Sequence, residues 1–125
     1  MLLVDDNEVN QMYGQALLGQ MGHAVQLASD GIEAVRLAGQ GGLDVILMDC
    51  HMPGVDGFEA TRQIRQAELQ RGTPRRPIFA ITASAMDEDL RRCREAGMDD
   101  VLTKPFTRNE LARLLDRIVA AKASG

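Results

Sequence analysis

The chain is short of aromatic side chains: Tyr13, Phe58, Phe79 and Phe106 are the whole set, and there is no Trp. Its core must therefore be built from Leu, Ile, Val, Met and Ala. Cysteine is scarcer still. Cys50 and Cys93 fit neither a CxxC pair nor a zinc-type spacing, so a disulfide scaffold is excluded and two buried free thiols in a reducing compartment are expected. No apolar run reaches the ~18 residues needed to span a bilayer, and no signal peptide is visible. Excess positive charge is missing too. Fourteen Lys and Arg against eighteen Asp and Glu give a net charge of −4, a poor footprint for nucleic acid.

What is present is an ordinary globular composition. The 125 residues, 45% apolar and 26% charged, suffice for one domain burying about two-thirds of its unfolded surface. Met1–Val4 reads as a strand stopped by Asp5-Asp6-Asn7. The spacing of Val9, Met12, Tyr13, Ala16, Leu17 and Met21 predicts a helix closed by Gly22. Ala24–Ala28 is a second strand, opened by a solvated His23, and a helix carrying Ala34, Val35 and Ala38 follows. Val45–Met48 is the third strand; a loop over Pro53–Gly57 leads to a helix through Phe58, Ala60, Ile64 and Ala67. The polar stretch Arg71–Pro77, with Arg71, Arg75 and Arg76 read as a solvated turn, returns to a strand at Ile78–Ile81. A helix over Asp87–Ala96, a strand at Val101–Thr103 and a helix over Arg108–Ala121 complete the chain. Met12, Met21 and Met48 are expected to fill the core.

Strict alternation predicts a doubly wound parallel sheet with helices on both faces. Ligands then bind beyond the carboxyl ends of the strands. Those ends carry Asp5 and Asp6, Asp49, Thr82 and Lys104. Converging carboxylates repel one another unless a cation lies between them. A hard divalent ion with oxygen ligands, Mg²⁺ above all, answers that need. Together with a lysine and a hydroxyl it would balance the charge of a phosphoryl group. Singly, each residue could be a helix cap or a solvated loop residue, as Asp6 or Asn7 could be before the first helix. Jointly they point to chemistry. Asp49-Cys50-His51 is not a transition-metal cluster, because adjacent strand residues face opposite ways.

Leu3-Val4-Asp5-Asp6-Asn7, Met48-Asp49-Cys50-His51-Met52-Pro53 with Asp56-Gly57-Phe58, Ile81-Thr82-Ala83, Ala96-Gly97-Met98-Asp99-Asp100 and Thr103-Lys104-Pro105-Phe106 occur in this order. In that order and spacing the chain resembles the receiver domain of two-component response regulators over essentially its full length. The resemblance implies a flavodoxin-like (βα)5 fold with strand order 2-1-3-4-5. It implies Asp49 as phosphoacceptor, attacking a partner's phosphohistidine. Mg²⁺ would be held by Asp6, Asp49 and the backbone carbonyl of His51, with Asp5 acting through water. Lys104, the Thr82 hydroxyl and the backbone N–H groups of His51 and Ala83 would contact the phosphoryl oxygens. Pro105 would follow a cis peptide bond. His51 and Ser84 would line the approach of hydrolytic water.

The motif wording is similar to receivers of hybrid sensor histidine kinases, which pass their phosphoryl group to a histidine phosphotransfer domain. The chain is thus expected to be one receiver domain, residues 1–125, excised from a longer cytoplasmic or membrane-bound sensor kinase. Its partners would be a sensor histidine kinase or a phosphotransfer domain, and the domain itself a monomer or weak dimer. It would promote its own phosphorylation and dephosphorylation rather than act as a free-standing enzyme. One departure stands out. Val101 occupies the place, three residues before the lysine, where the family commonly has Tyr or Phe. That aromatic swings inward as Thr82's counterpart moves, and valine, stiff at χ1, has no such second position. The alternatives are a pseudo-receiver that binds partners without phosphorylation and an Asp-nucleophile Mg²⁺ phosphohydrolase. Against the second, His51 stands where such enzymes place their acid/base Asp.

Overall fold

The computed structural model describes the backbone of residues 1–41, 43–83, 86–104 and 106–124, and side chains through residue 117. The strands are β1 (Leu2–Val4), β2 (Gln26–Ala28), β3 (Ile46–Asp49), β4 (Ile78–Thr82) and β5 (Asp100–Thr103). They alternate with α1 (Glu8–Gln20), α2 (Gly31–Gly39), α3 (Gly57–Arg71), α4 (Asp87–Ala96) and α5 (Arg108–Ser124). All strand pairs are parallel, in the order β2-β1-β3-β4-β5.

The expected flavodoxin-like architecture is therefore present. The second strand is shorter than expected, since pairing with β1 begins only at Gln26.

Alternation along each strand sorts the core into two layers. Leu2, Val4, Ile46, Met48, Ile78 and Ala80 face α2, α3 and α4, packing with Ala34, Phe58, Ile64 and Cys93. Leu3, Leu47, Phe79 and Ile81 face the other way, toward Leu18 of α1 and Leu111, Leu114 and Leu115 of α5. Because both faces are covered, β1, β3 and β4 are apolar almost throughout.

Side chains at the carboxyl edge start three helices there. Asn7 Oδ1 accepts from the N–H groups of Val9 (2.9 Å) and Asn10 (3.2 Å), and Asp30 and Asp56 accept from Glu33 (2.7 Å) and Glu59 (2.9 Å). Asn7, not Asp6, is the cap of α1, which leaves Asp6 to the site.

Two expectations are corrected. The face of α1 that meets the sheet is Gly14 and Leu18, so Met12 (66% exposed) is not a core filler and Val9 points outward as well. Gly14 explains the rotation: a Cβ there would lie 2.6 Å from Leu3 Cδ2, and its absence brings the helix close to β1. Met21 is half-buried and Met48 fully buried, as expected.

The arginine stretch is solvent-exposed at Arg71 and Arg75, as expected, but its guanidiniums are not merely solvated. Arg75 pairs with Asp99 at 2.8 Å, Arg71 donates to the Gly39 carbonyl at 3.0 Å, and Arg76 donates to the Ala38 carbonyl. These residues tie the amino end of the sheet together around Arg65. The Arg65 guanidinium reaches Glu68 (2.9 Å), Asp99 (2.8 Å) and the carbonyls of Gly97 (2.9 Å) and Arg76 (2.7 Å).

Candidate functional site

In this strand order the connection after β1 runs to β2 on one side and the connection after β3 runs to β4 on the other, which opens a crevice at the carboxyl ends of β1 and β3. Asp5 and Asp6 follow β1, and Asp49 is the last residue of β3. One carboxylate oxygen from each of the three can lie within 4.8 Å of the others; Asp5 and Asp49 are buried and Asp6 is exposed. Lys104, just past β5, reaches into the same crevice. Its Nζ stands 3.1 Å from Asp5 Oδ2 and 3.3 Å from Asp49 Oδ2.

Backbone geometry holds each group in place. The Asn7 N–H donates to Asp5 Oδ1 at 2.9 Å, and the His51 N–H donates to Asp49 Oδ1 at 3.3 Å. The Lys104 N–H donates to the Thr82 carbonyl at 2.8 Å, so the lysine is anchored to the end of β4. Thr82 itself is buried at that strand end.

Electrostatics follow from burial and proximity. Burial pushes the Asp49 carboxyl above its ordinary value; the Lys104 charge opposes this, the Asp5 charge adds to it, and the net shift is upward. Burial alone would lower Lys104, yet Asp49 and Asp5 outweigh it and hold the ammonium above its ordinary value. A lysine cannot balance three carboxylates. Lysine and a hard divalent ion together can, and oxygens within 4.8 Å of one another suit such an ion, whose ligands about 2.1 Å away lie roughly 3–4 Å from each other.

The structure thus brings Asp5, Asp6, Asp49 and Lys104 into one crevice and sets Thr82 at its edge. The His51 ring is exposed and meets Phe58 edge-on, with centroids 5.9 Å apart. Ala83 lines a neighbouring cavity of about 370 Å³, together with Leu3, Tyr13, Ile81, Lys104 and Phe106. Val101 is not in the crevice; it packs half-buried against the layer that faces α4. Ser84 and Pro105 lie outside the described residues.

Two contributors were not anticipated from the sequence. The Tyr13 hydroxyl donates to the Phe106 carbonyl at 2.8 Å, tying α1 to the segment after Lys104. At Gly57, a Cβ would lie 2.1 Å from the Asp49 carbonyl oxygen. A glycine at the start of a helix, eight residues after a strand-end acid, is the signal that was available for such a close approach.

Comparison with known proteins agrees with this geometry. The response regulator receiver domain family matches residues 1–116. Over 114 residues the chain is 43% identical to the sensor protein GacS of Pseudomonas syringae pv. syringae, an alignment covering 91% of this chain and 13% of that protein. The chain therefore spans about an eighth of the length of that curated relative. The receiver domain of the sensor histidine kinase PA1611 from Pseudomonas aeruginosa PAO1, solved with a magnesium ion coordinated in its active site cleft, is 50% identical with a TM-score of 0.85 over 95% of each chain. A third match is the co-crystal structure of the Saccharomyces cerevisiae histidine phosphotransfer signaling protein Ypd1 with the receiver domain of its downstream response regulator Ssk1. It is 37% identical with a TM-score of 0.84, over 89% of this chain and 81% of that one.

Proposed function

This chain belongs to the response regulator receiver domain family, and from that premise we propose that it accepts a phosphoryl group from a phosphohistidine onto Asp49 in a two-component phosphorelay. The observation that carries the reading is the Lys104 ammonium shared between Asp5 and Asp49 in a crevice where Asp6 completes an acidic cluster. An Asp49 carboxylate oxygen attacks phosphorus, the P–N bond breaks, and an acyl phosphate forms. The electron pair stays on the donor imidazole.

Asp6 and Asp49, with the backbone carbonyl of His51, would hold Mg²⁺, and Asp5 would act through water. Bound there, the ion supplies charge neutralisation at the phosphoryl oxygens. The chain's own groups do the rest. Lys104 exchanges its contact with the Asp49 carboxylate for one with a phosphoryl oxygen. The Thr82 hydroxyl and the N–H groups of His51 and Ala83 serve the remaining oxygens. Catalysis here is positioning and charge balance.

The donor is a sensor histidine kinase or a histidine phosphotransfer domain. Val9, Met12 and Tyr13 support this: they are 72%, 66% and 48% exposed on α1, and an apolar surface beside an acidic crevice suits docking of a protein rather than of a small ester. We place the domain in the cytoplasm, as a monomer or weak dimer and as one part of a longer hybrid kinase. No helix among the described residues is long and apolar enough to cross a membrane.

An intact-mass spectrum after incubation with acetyl phosphate and Mg²⁺ tests the reading. One added phosphoryl group is expected, absent in Asp49→Ala and in excess chelator. No adduct, together with no binding of beryllofluoride, would make the chain a phosphorylation-independent docking domain. Sustained release of phosphate from small esters would make it a hydrolase.

A further inference from the structure

Two thiols that the phosphoryl chemistry leaves unused meet next to the site. Cys50 directly follows Asp49 and is pinned on both sides: its N–H donates to the Ile81 carbonyl at 3.0 Å and its carbonyl accepts from Gly57 at 3.1 Å. Cys93 belongs to α4, and its Sγ lies 3.9 Å from Cys50 Sγ. Both are free thiols and each is 1% exposed. A disulfide requires about 2.05 Å between sulfurs, so the pair must close by roughly half its present separation. The element able to move is α4. Its only buried residues are Cys93 and Ala96, and its N-cap residue, Met86, provides no side-chain hydrogen bond to the helix.

Burial shields such a pair from reagents and pushes both thiols above their ordinary value, which makes oxidation slow and access to peroxide decisive. Here a groove of about 400 Å³ runs between α4 and β5, and Cys93 is among its lining residues with Leu90, Met98, Val101 and Thr103. Val101 is part of the groove wall, so a larger side chain at that position is expected to narrow it. Hydrogen peroxide is scarcely larger than water and can enter such a space.

We propose that Cys50 and Cys93 form an oxidation site, in which a hydroperoxide enters through the groove beside Val101 and converts the pair to a disulfide joining α4 to the residue after Asp49. The Cys93 sulfur attacks one peroxide oxygen; the O–O bond breaks, and Cys93 becomes a sulfenic acid as the leaving hydroxide takes the Cys93 proton and departs as water. The Cys50 sulfur then displaces the hydroxyl, which departs with the Cys50 proton as a second water. Two thiols lose two electrons and two protons in all, and the peroxide is reduced to two waters.

The test is treatment of the folded chain with hydrogen peroxide, followed by alkylation, digestion and mass spectrometry. A linked peptide pair spanning Cys50 and Cys93 is expected, lighter by two hydrogens and restored by dithiothreitol. In Cys50→Ser, dimedone should trap Cys93 as its sulfenic acid. Val101→Phe should slow bridging several-fold in the folded chain and leave the rate in concentrated urea unchanged. Should Val101→Phe fail to fold by circular dichroism, Val101→Leu makes the same comparison. Over-oxidation of Cys93 without a bridge would overturn the proposal, as would reaction only where the chain unfolds. An equal rate in the folded wild type and the narrowed-groove variant would also overturn it. None of these readouts depends on phosphorylation of Asp49.

Discussion

At the amino ends of β4 and β5, Arg65 meets Glu68 at 2.9 Å and Asp99 at 2.8 Å, and Asp99 also accepts from Arg75 and from the Ile78 N–H at 2.8 Å. At the carboxyl ends, three carboxylates cluster and Lys104 pairs with two of them, Asp5 and Asp49. Both regions are partly buried and densely charged. In the first, every acid described has a guanidinium or backbone donor, and the charges hold α3 to the connection before β5. In the second, negative charge stays in excess, which keeps the crevice ready for cations and phosphoryl oxygens. A charged cluster is structural when its own residues balance it and a binding site when they do not.

The largest expected effect is at the balanced end. Arg65→Ala should cost about 3 kcal/mol in urea denaturation, because it leaves the buried Glu68 with only a backbone donor and takes from Asp99 the less exposed of its two guanidiniums. Mg²⁺ affinity should stay at the wild-type value; a parallel loss would show that the two clusters are not independent.

Next comes the unbalanced end, where removing charge should help. Asp49→Asn is expected to stabilise the metal-free chain by about 1–2 kcal/mol. The sign for pH follows from the raised Asp49 carboxyl. The folded state binds that proton more tightly than the unfolded state, so the charged carboxylate costs stability above the folded value. That cost is relieved as pH falls through the folded value toward the ordinary carboxylate range. Thermal melts across that range should show the metal-free wild type gaining stability as pH falls, and Asp49→Asn flattened. Saturating Mg²⁺ should reverse the ranking by raising the wild type more than the variant.

The smallest effect is expected at Arg75, whose side chain is 58% exposed. Arg75→Ala should cost about 0.5 kcal/mol and less in high salt. A loss as large as that for Arg65 would mean that exposure is the wrong guide to which ion pairs matter here.

Much of this was legible in the sequence for a simple reason. Strands covered on both faces must be apolar runs, so an acid or lysine at the end of Leu2-Leu3-Val4 or Ile46-Leu47-Met48 stands out against them. What escaped was pairing over long separation. Nothing local in Arg65 announces Asp99, and nothing in Cys50 announces Cys93. The α1 face escaped for another reason. Val9, Met12 and Tyr13 keep helical spacing whether they point in or out, and the inward face was marked by Gly14, which carries no hydropathy signal. A lone glycine inside a helix was the available sign of close packing.

The start of α3 carries a warning for anyone reading a mutational scan of this domain. Gly57 has no side chain with which to ligate a metal or a phosphoryl group, yet any side chain there would collide with the carbonyl of Asp49. Substitutions at Gly57 would be scored alongside those of Asp49 and Lys104, and a map of loss would credit chemistry to a residue whose whole contribution is the room it leaves.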